Sequence, residues 1–154
     1  MTELNTIAAK LKLIAMDVDG VLTNGSVTYD SNGVEYKSFS IKDGLGIKLL
    51  QQAGLRVAII TGRSSPMVER RAAELGITDV IQGREDKLTA LVEVAALTGC
   101  TLDEAAYMGD YLPDLAAVKH AAHGACPADA VDLVRDAADY VTKTPGGQGA
   151  VREW

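Results

Sequence analysis

Short apolar runs that end in small polar clusters alternate along this 154-residue chain with stretches whose apolar residues recur at helical spacing. The runs cover residues 11–16, 57–60, 79–82 and 105–108, with shorter ones at 124–126 and 140–142. Between them the pattern predicts helices over 43–53, 65–75, 85–95, 112–122 and 130–137, with Asp43 capping the first of these and Gly54 stopping it. Strands that take turns with helices pair in parallel, because each return crossing needs a helix. The expected fold class is therefore α/β, a Rossmann-like doubly wound parallel sheet. No linker or repeat interrupts residues 1–154, which are read as a single domain.

A parallel sheet gathers the C-terminal ends of its strands on one edge, and open α/β folds bind ligands there. The residues after each run are informative in that light. Asp17-Val18-Asp19-Gly20 follows the first run, Thr61-Gly62-Arg63 the second, Lys87 lies just past the third, and Gly109-Asp110 with Asp114 follows the fourth. Singly, each residue has an ordinary reading: a turn for the acids, helix caps for Thr61 and Asp110, a solvated helix charge for Lys87. Jointly, in this order, they describe a phosphoryl-transfer site.

Two carboxylates about 4 Å apart repel by roughly 4 kcal/mol at an effective dielectric of 20, so a nearby cation is expected. Asp17 is the candidate nucleophile, and Asp19 the acid that protonates the leaving alkoxide and then activates water. Thr61 can bind phosphoryl oxygens, and Lys87 can neutralise phosphate charge and tether Asp17. Asp110 completes a hard-oxygen Mg²⁺ site with the Asp17 carboxylate and the Asp19 carbonyl, while Asp114 orients bound water or Lys87.

Composition supports a small-molecule enzyme over other classes. A formal charge of −6 disfavours broad attraction to nucleic acid or anionic membrane, and 5% aromatic content offers no stacking platform for bases. No apolar run reaches the ~18 residues of a membrane span, and no leader pattern precedes the first strand, so cytoplasmic localisation is expected. Cys100 and Cys126 lack metal-binding or redox spacing and are read as reduced, buried thiols.

These residues resemble the haloacid dehalogenase superfamily of phosphotransferases: an Asp-x-Asp-Gly first motif, Thr61 as the second, Lys87 as the third, and Gly-Asp-x-x-x-Asp as the fourth. Residues 17–23, 43–47, 59–63, 75–78 and 146–153 are similar to a capless branch of that superfamily. Its members release 3-deoxy-D-manno-octulosonate (KDO) from its 8-phosphate for the lipopolysaccharide core. The resemblance implies substrate contacts from Asp19, Ser40, Ile41, Lys42, Asp43, Gly44, Lys48, Gly62, Arg63, Arg71, Lys87 and Arg152. Ser40, Lys42 and Lys48 stand where the branch usually has Asn, Arg and Arg, and Tyr111 replaces an aspartate.

The gaps between motifs hold only a hairpin at about 24–40, a helix and a strand, too little for a cap domain. The resemblance therefore implies a homotetramer in which neighbouring subunits complete the site. It also implies that the glycine-rich tail, about 144–154, is mobile and reaches an adjacent site. Two alternatives remain open from the sequence: a phosphatase for a nine-carbon sialic-acid-like 9-phosphate, and a receiver-like phospho-accepting module. The receiver order is wrong, because its phospho-acceptor follows a later strand.

Overall fold

A computed structural model describes residues 2–154. Its main sheet has six parallel strands in the order β5-β4-β1-β6-β7-β8. These are β1 (Leu13–Met16), β4 (Arg56–Ile60), β5 (Asp79–Ile81), β6 (Ala105–Met108), β7 (His123–Cys126) and β8 (Tyr140–Val141). The chain goes outward from β1 through β4 to β5, then returns to β6 on the other side of β1. Order reverses at β1, so the crevice above its C-terminal end is the place where an open sheet binds ligand.

Strand alternation sorts the core into two layers. Leu13 and Ala15 face one side, with Ala58, Ile60 and Tyr107, and pack on α4 (Lys87–Leu97), α5 (Leu115–His120) and α6 (Asp132–Ala137). Ile14 and Met16 face the other, with Val57, Ile59 and Met108, and pack on α2 (Ile41–Gln52), α3 (Pro66–Leu75) and α7 (Ala150–Glu153). Both faces are covered, which is why β1 and β6 are buried along their whole length.

Several local expectations are altered. Helix α2 begins three residues earlier than the pattern suggests: Ser40, not Asp43, is its cap, accepting the Lys42 N–H at 3.2 Å. Asp43 then falls in the first turn and is buried. The segment 112–122 is not one helix, because Pro113 lies in a short 3-10 turn, Leu112–Asp114, that precedes α5. The hairpin, β2 (Thr28–Tyr29) and β3 (Glu35–Tyr36), pairs only two residues on each side. A short N-terminal helix, α1 (Glu3–Ala8), has no buried residue and no apolar periodicity to announce it.

The glycine-rich tail packs on the domain that carries it. It forms α7, with Ala150 and Val151 buried against α2 and the sheet. No helix among the described residues is long and apolar enough to cross a membrane.

Candidate active site

A cavity of about 390 Å³ opens at the C-terminal edge of β1, β4 and β6. Asp17, Asp19, Thr61, Gly62, Arg63, Lys87, Asp110 and Asp114 all line it. The strand-end reasoning thus brings together the predicted motif residues from four separate stretches of chain.

Asp17 continues β1 and donates its N–H to the Met108 carbonyl at 3.0 Å. Its Oδ1 accepts the Val18 N–H at 2.7 Å and lies 3.3 Å from Lys87 Nζ. Burial pushes the Asp17 carboxyl well up, the Asp114 charge adds to that, and Lys87 opposes it. Burial pulls the Lys87 ammonium down, but Asp17 and Asp114 more than offset this and leave it raised.

Asp110 is brought close by Gly20, which has φ +88° and room for no side chain: a methyl group there would collide with the Asp110 carboxylate. Asp110 Oδ1 is buried without a hydrogen-bond partner. Burial, then the Asp114 charge, pushes this carboxyl up to about 7. One oxygen each of Asp17, Asp110 and Asp114 lie within 4.8 Å of one another. Three clustered carboxylates facing a single ammonium, with one Asp110 oxygen left without a partner, suit a small divalent cation.

Asp114 is already saturated. Its Oδ1 accepts from Tyr107 Oη at 2.6 Å and Lys87 Nζ at 2.9 Å, and its Oδ2 from the N–H groups of Asp110 at 3.1 Å and Tyr111 at 3.3 Å. That fits an orienting acid behind the ligands. Tyr107 was not anticipated. Its hydroxyl lies 3.5 Å from Lys87 Nζ and its side chain is fully buried. A phenol inside an otherwise apolar strand needs an acceptor, and that was the available signal.

The Asp19 carboxylate stands apart from the acidic cluster. Its Oδ1 accepts from Lys37 Nζ at 2.6 Å, and its Oδ2 is 4.0 Å from Arg63 Nε. Thr61 is buried at the end of β4, its backbone fixed by the Ile81 carbonyl at 2.9 Å and the Arg84 N–H at 3.1 Å.

The remaining predicted contacts lie elsewhere in the chain. Ser40, Asp43, Gly44 and Arg71 line a separate recess of about 10 Å³, too small for a sugar acid. Arg71 sits 5.8 Å from the Phe39 ring, over its face, and Gly44 leaves space for the guanidinium. Asp43 Oδ1 accepts the Arg152 N–H at 2.9 Å, so Asp43 holds the tail and is not open to a ligand. Ile41, Lys42, Lys48 and Arg152 line neither hollow. Within one chain none of these residues lines the cavity that holds the acids.

The tail touches the site through backbone. Gly147 donates its N–H to the Val21 carbonyl at 3.0 Å, and Gly146 packs on the Gly20 carbonyl so closely that a methyl group would overlap it. The loop carrying Asp19 is thus braced from behind by residues far along the chain.

Known proteins resemble this chain in sequence and fold. A sequence profile of haloacid dehalogenase-like hydrolases matches residues 74–153. The 3-deoxy-D-manno-octulosonate 8-phosphate phosphatase KdsC of Haemophilus influenzae is 44% identical over 143 residues, covering 93% of this chain and 79% of its own. The crystal structure of the phosphatase of that name from Moraxella catarrhalis, in complex with magnesium, phosphate and KDO, is 51% identical. It aligns with a TM-score of 0.96 over 99% of this chain and 88% of its own. A cobalt-bound Haemophilus influenzae structure is 43% identical with a TM-score of 0.91, over 96% and 86% of the two chains. With its profile match and these close relatives, the chain belongs to the haloacid dehalogenase-like hydrolases.

Proposed function

We propose that residues 1–154 act as one hydrolase domain, a Mg²⁺-dependent phosphatase that converts 3-deoxy-D-manno-octulosonate 8-phosphate to KDO and phosphate. The observation that carries this reading is the convergence of Asp17, Lys87, Asp110 and Asp114 in one cavity. The similarity to phosphatases named for that substrate supplies the sugar.

In the first step an Asp17 carboxylate oxygen attacks phosphorus. The ester P–O bond breaks, and the departing sugar oxygen takes a proton from Asp19. In the second step Asp19, now a carboxylate, removes a proton from water as it attacks the aspartyl-phosphate. The bond between phosphorus and the Asp17 oxygen breaks, freeing phosphate. Lys87 holds Asp17 and offsets phosphoryl charge, while Thr61 and the Gly62 backbone receive phosphoryl oxygens. Asp17, Asp110 and the Asp19 carbonyl would hold Mg²⁺, whose positive charge would let an anionic nucleophile meet an anionic ester. Arg63, half-exposed at the rim, meets the substrate's charged groups.

Oligomerisation would complete the pocket. Val27, Tyr29, Val34 and Tyr36 on the hairpin, and Ile41, Leu45 and Leu49 on α2, are exposed apolar side chains on neighbouring elements. A homotetramer that buries them would set Ser40, Lys42 and Lys48 of one subunit near the cavity of another. Free, buried Cys100 and Cys126 agree with a reducing, cytoplasmic location.

Phosphate release from KDO 8-phosphate, a sialic-acid-type 9-phosphate and a generic aryl phosphate, with and without Mg²⁺, tests the assignment. A large Mg²⁺-dependent preference for the first is expected. Preference for the second reassigns the sugar, and no release from any of them rejects the reaction.

A further inference from the structure

Lys37 is the best-buried cation near the site that no step above uses. It follows β3, and strand alternation turns Glu35 and Lys37 toward the acid loop while Tyr36 points outward with 54% exposure. The Lys37 side chain is 1% exposed. Its Nζ lies 2.6 Å from Asp19 Oδ1 and 3.5 Å from Glu35 Oε1. Arg63 closes the ring from the other side, with Nη2 at 2.9 Å from Glu35 Oε1 and Nε at 4.0 Å from Asp19 Oδ2. Two acids and two bases thus alternate around a closed circuit that joins the hairpin to the loop after β1.

Removing an ammonium from water is costly, and a surface hairpin has no structural need to do so. The arrangement makes sense if the hydrogen bond serves Asp19. A carboxylate that must give a proton to a departing oxygen and later take one from water needs a fixed direction and one free oxygen. Lys37 occupies Oδ1 with a short charge-assisted bond and leaves Oδ2 facing the rim, where only the longer Arg63 approach meets it.

We propose that Lys37 is a positioning residue for Asp19: it pins one carboxylate oxygen from the hairpin so that the other is presented to the leaving group. This rests on Asp19 acting as the acid–base of the phosphatase reaction. The outer face of the same hairpin carries Thr28 and Tyr36, so the anchor of Asp19 and the proposed subunit contact share one element.

The test exploits leaving groups. A sugar alkoxide needs a proton to depart, whereas nitrophenolate does not. Values of kcat/KM, which report the steps up to phosphoryl transfer, are compared for KDO 8-phosphate and p-nitrophenyl phosphate at saturating Mg²⁺ with the full chain. Asp19→Asn calibrates the comparison. Lys37→Met should lower kcat/KM about tenfold or more for the sugar phosphate and less than about threefold for the aryl ester. Lys37→Gln, which keeps a polar donor in place, should show a smaller loss with the same bias, and it guards against misfolding of the methionine variant.

Equal losses on both esters, or no loss on either, while Asp19→Asn shows the bias, would overturn the role of Lys37 and leave the phosphatase reading standing. Absence of the bias in Asp19→Asn would remove the acid–base assignment, and the Lys37 role with it. If KDO 8-phosphate is not turned over, the sugar assignment fails separately, and the same ratio is read with whichever alkyl phosphate is hydrolysed.

Discussion

The Asp43 carboxylate accepts the backbone N–H of Arg152 at 2.9 Å, fastening the first turn of α2 to the helix at the far end of the chain. Burial raises the Asp43 carboxyl, with the N–H groups of Arg152, Gly149 and Val151 and the Arg71 charge opposing the rise. Folded Asp43 therefore keeps its proton to higher pH than the unfolded chain does. Between the unfolded value of 3.8 and the raised folded value, the folded state binds more protons, so this group's contribution to stability falls as pH rises. Asp43→Asn keeps an acceptor for Arg152 and abolishes the titration. The melting temperature of the variant relative to the parent should climb with pH across that window; parallel curves would contradict the assignment.

Metal should stabilise the fold as well as the reaction. Burial and the Asp114 charge push the Asp110 carboxyl up to about 7, and a bound cation relieves both costs. Mg²⁺ at a hundredfold over its dissociation constant should add about 2.7 kcal/mol to unfolding. Asp110→Asn should lose most of that gain, and EDTA should silence turnover in the parent. Differential scanning fluorimetry with and without Mg²⁺ reads the first effect directly, and an Asp110→Asn variant still stabilised as much as the parent would remove Asp110 from the ligand set.

Tyr107→Phe deletes one hydroxyl and nothing else. Asp114 Oδ1 then keeps only Lys87, and the buried pair loses its closest donor. A stability loss of about 1–3 kcal/mol is expected from chemical denaturation, since the bond is to a charged acceptor. Turnover should fall with it while KM stays near the parent value. A variant with parental stability and kcat would show the hydroxyl to be dispensable.

Gly147→Ala probes the brace behind the Asp19 loop. Gly147 has φ +76°, and an added methyl carbon would lie 2.5 Å from the Asn24 nitrogen. The loop must shift to admit it, and displacement of a catalytic group by about 1 Å can cost about a hundredfold in rate. A kcat loss beyond about tenfold is expected in a chain that still folds by circular dichroism. Undiminished kcat would mean that the tail does not set the loop.

Asp17, Thr61, Lys87 and Asp110 were legible because strand ends converge in a parallel sheet, and local sequence reports strand ends well. Lys37 and Tyr107 were not. Lys37 looks like any hairpin lysine until the distance between the hairpin and the loop after β1 is known. Tyr107 reads as one more apolar strand residue unless its hydroxyl is asked for a partner. Asp43 and Ser40 are both capping types, and only packing against the tail decides that Ser40 caps while Asp43 is buried. The tail's glycines allow close backbone approach, but that Gly146 and Gly147 approach the loop after β1 is visible only in the fold.

Because β1 lies between β4 and β6 and the Asp17 amide is bonded to the Met108 carbonyl, the proposed nucleophile belongs to the innermost part of the sheet. Local fraying cannot expose it. Its amide should exchange with deuterium only through global opening, far more slowly than the amides of the hairpin that holds Asp19. The site thus joins a rigid centre, set by the sheet, to a more yielding rim.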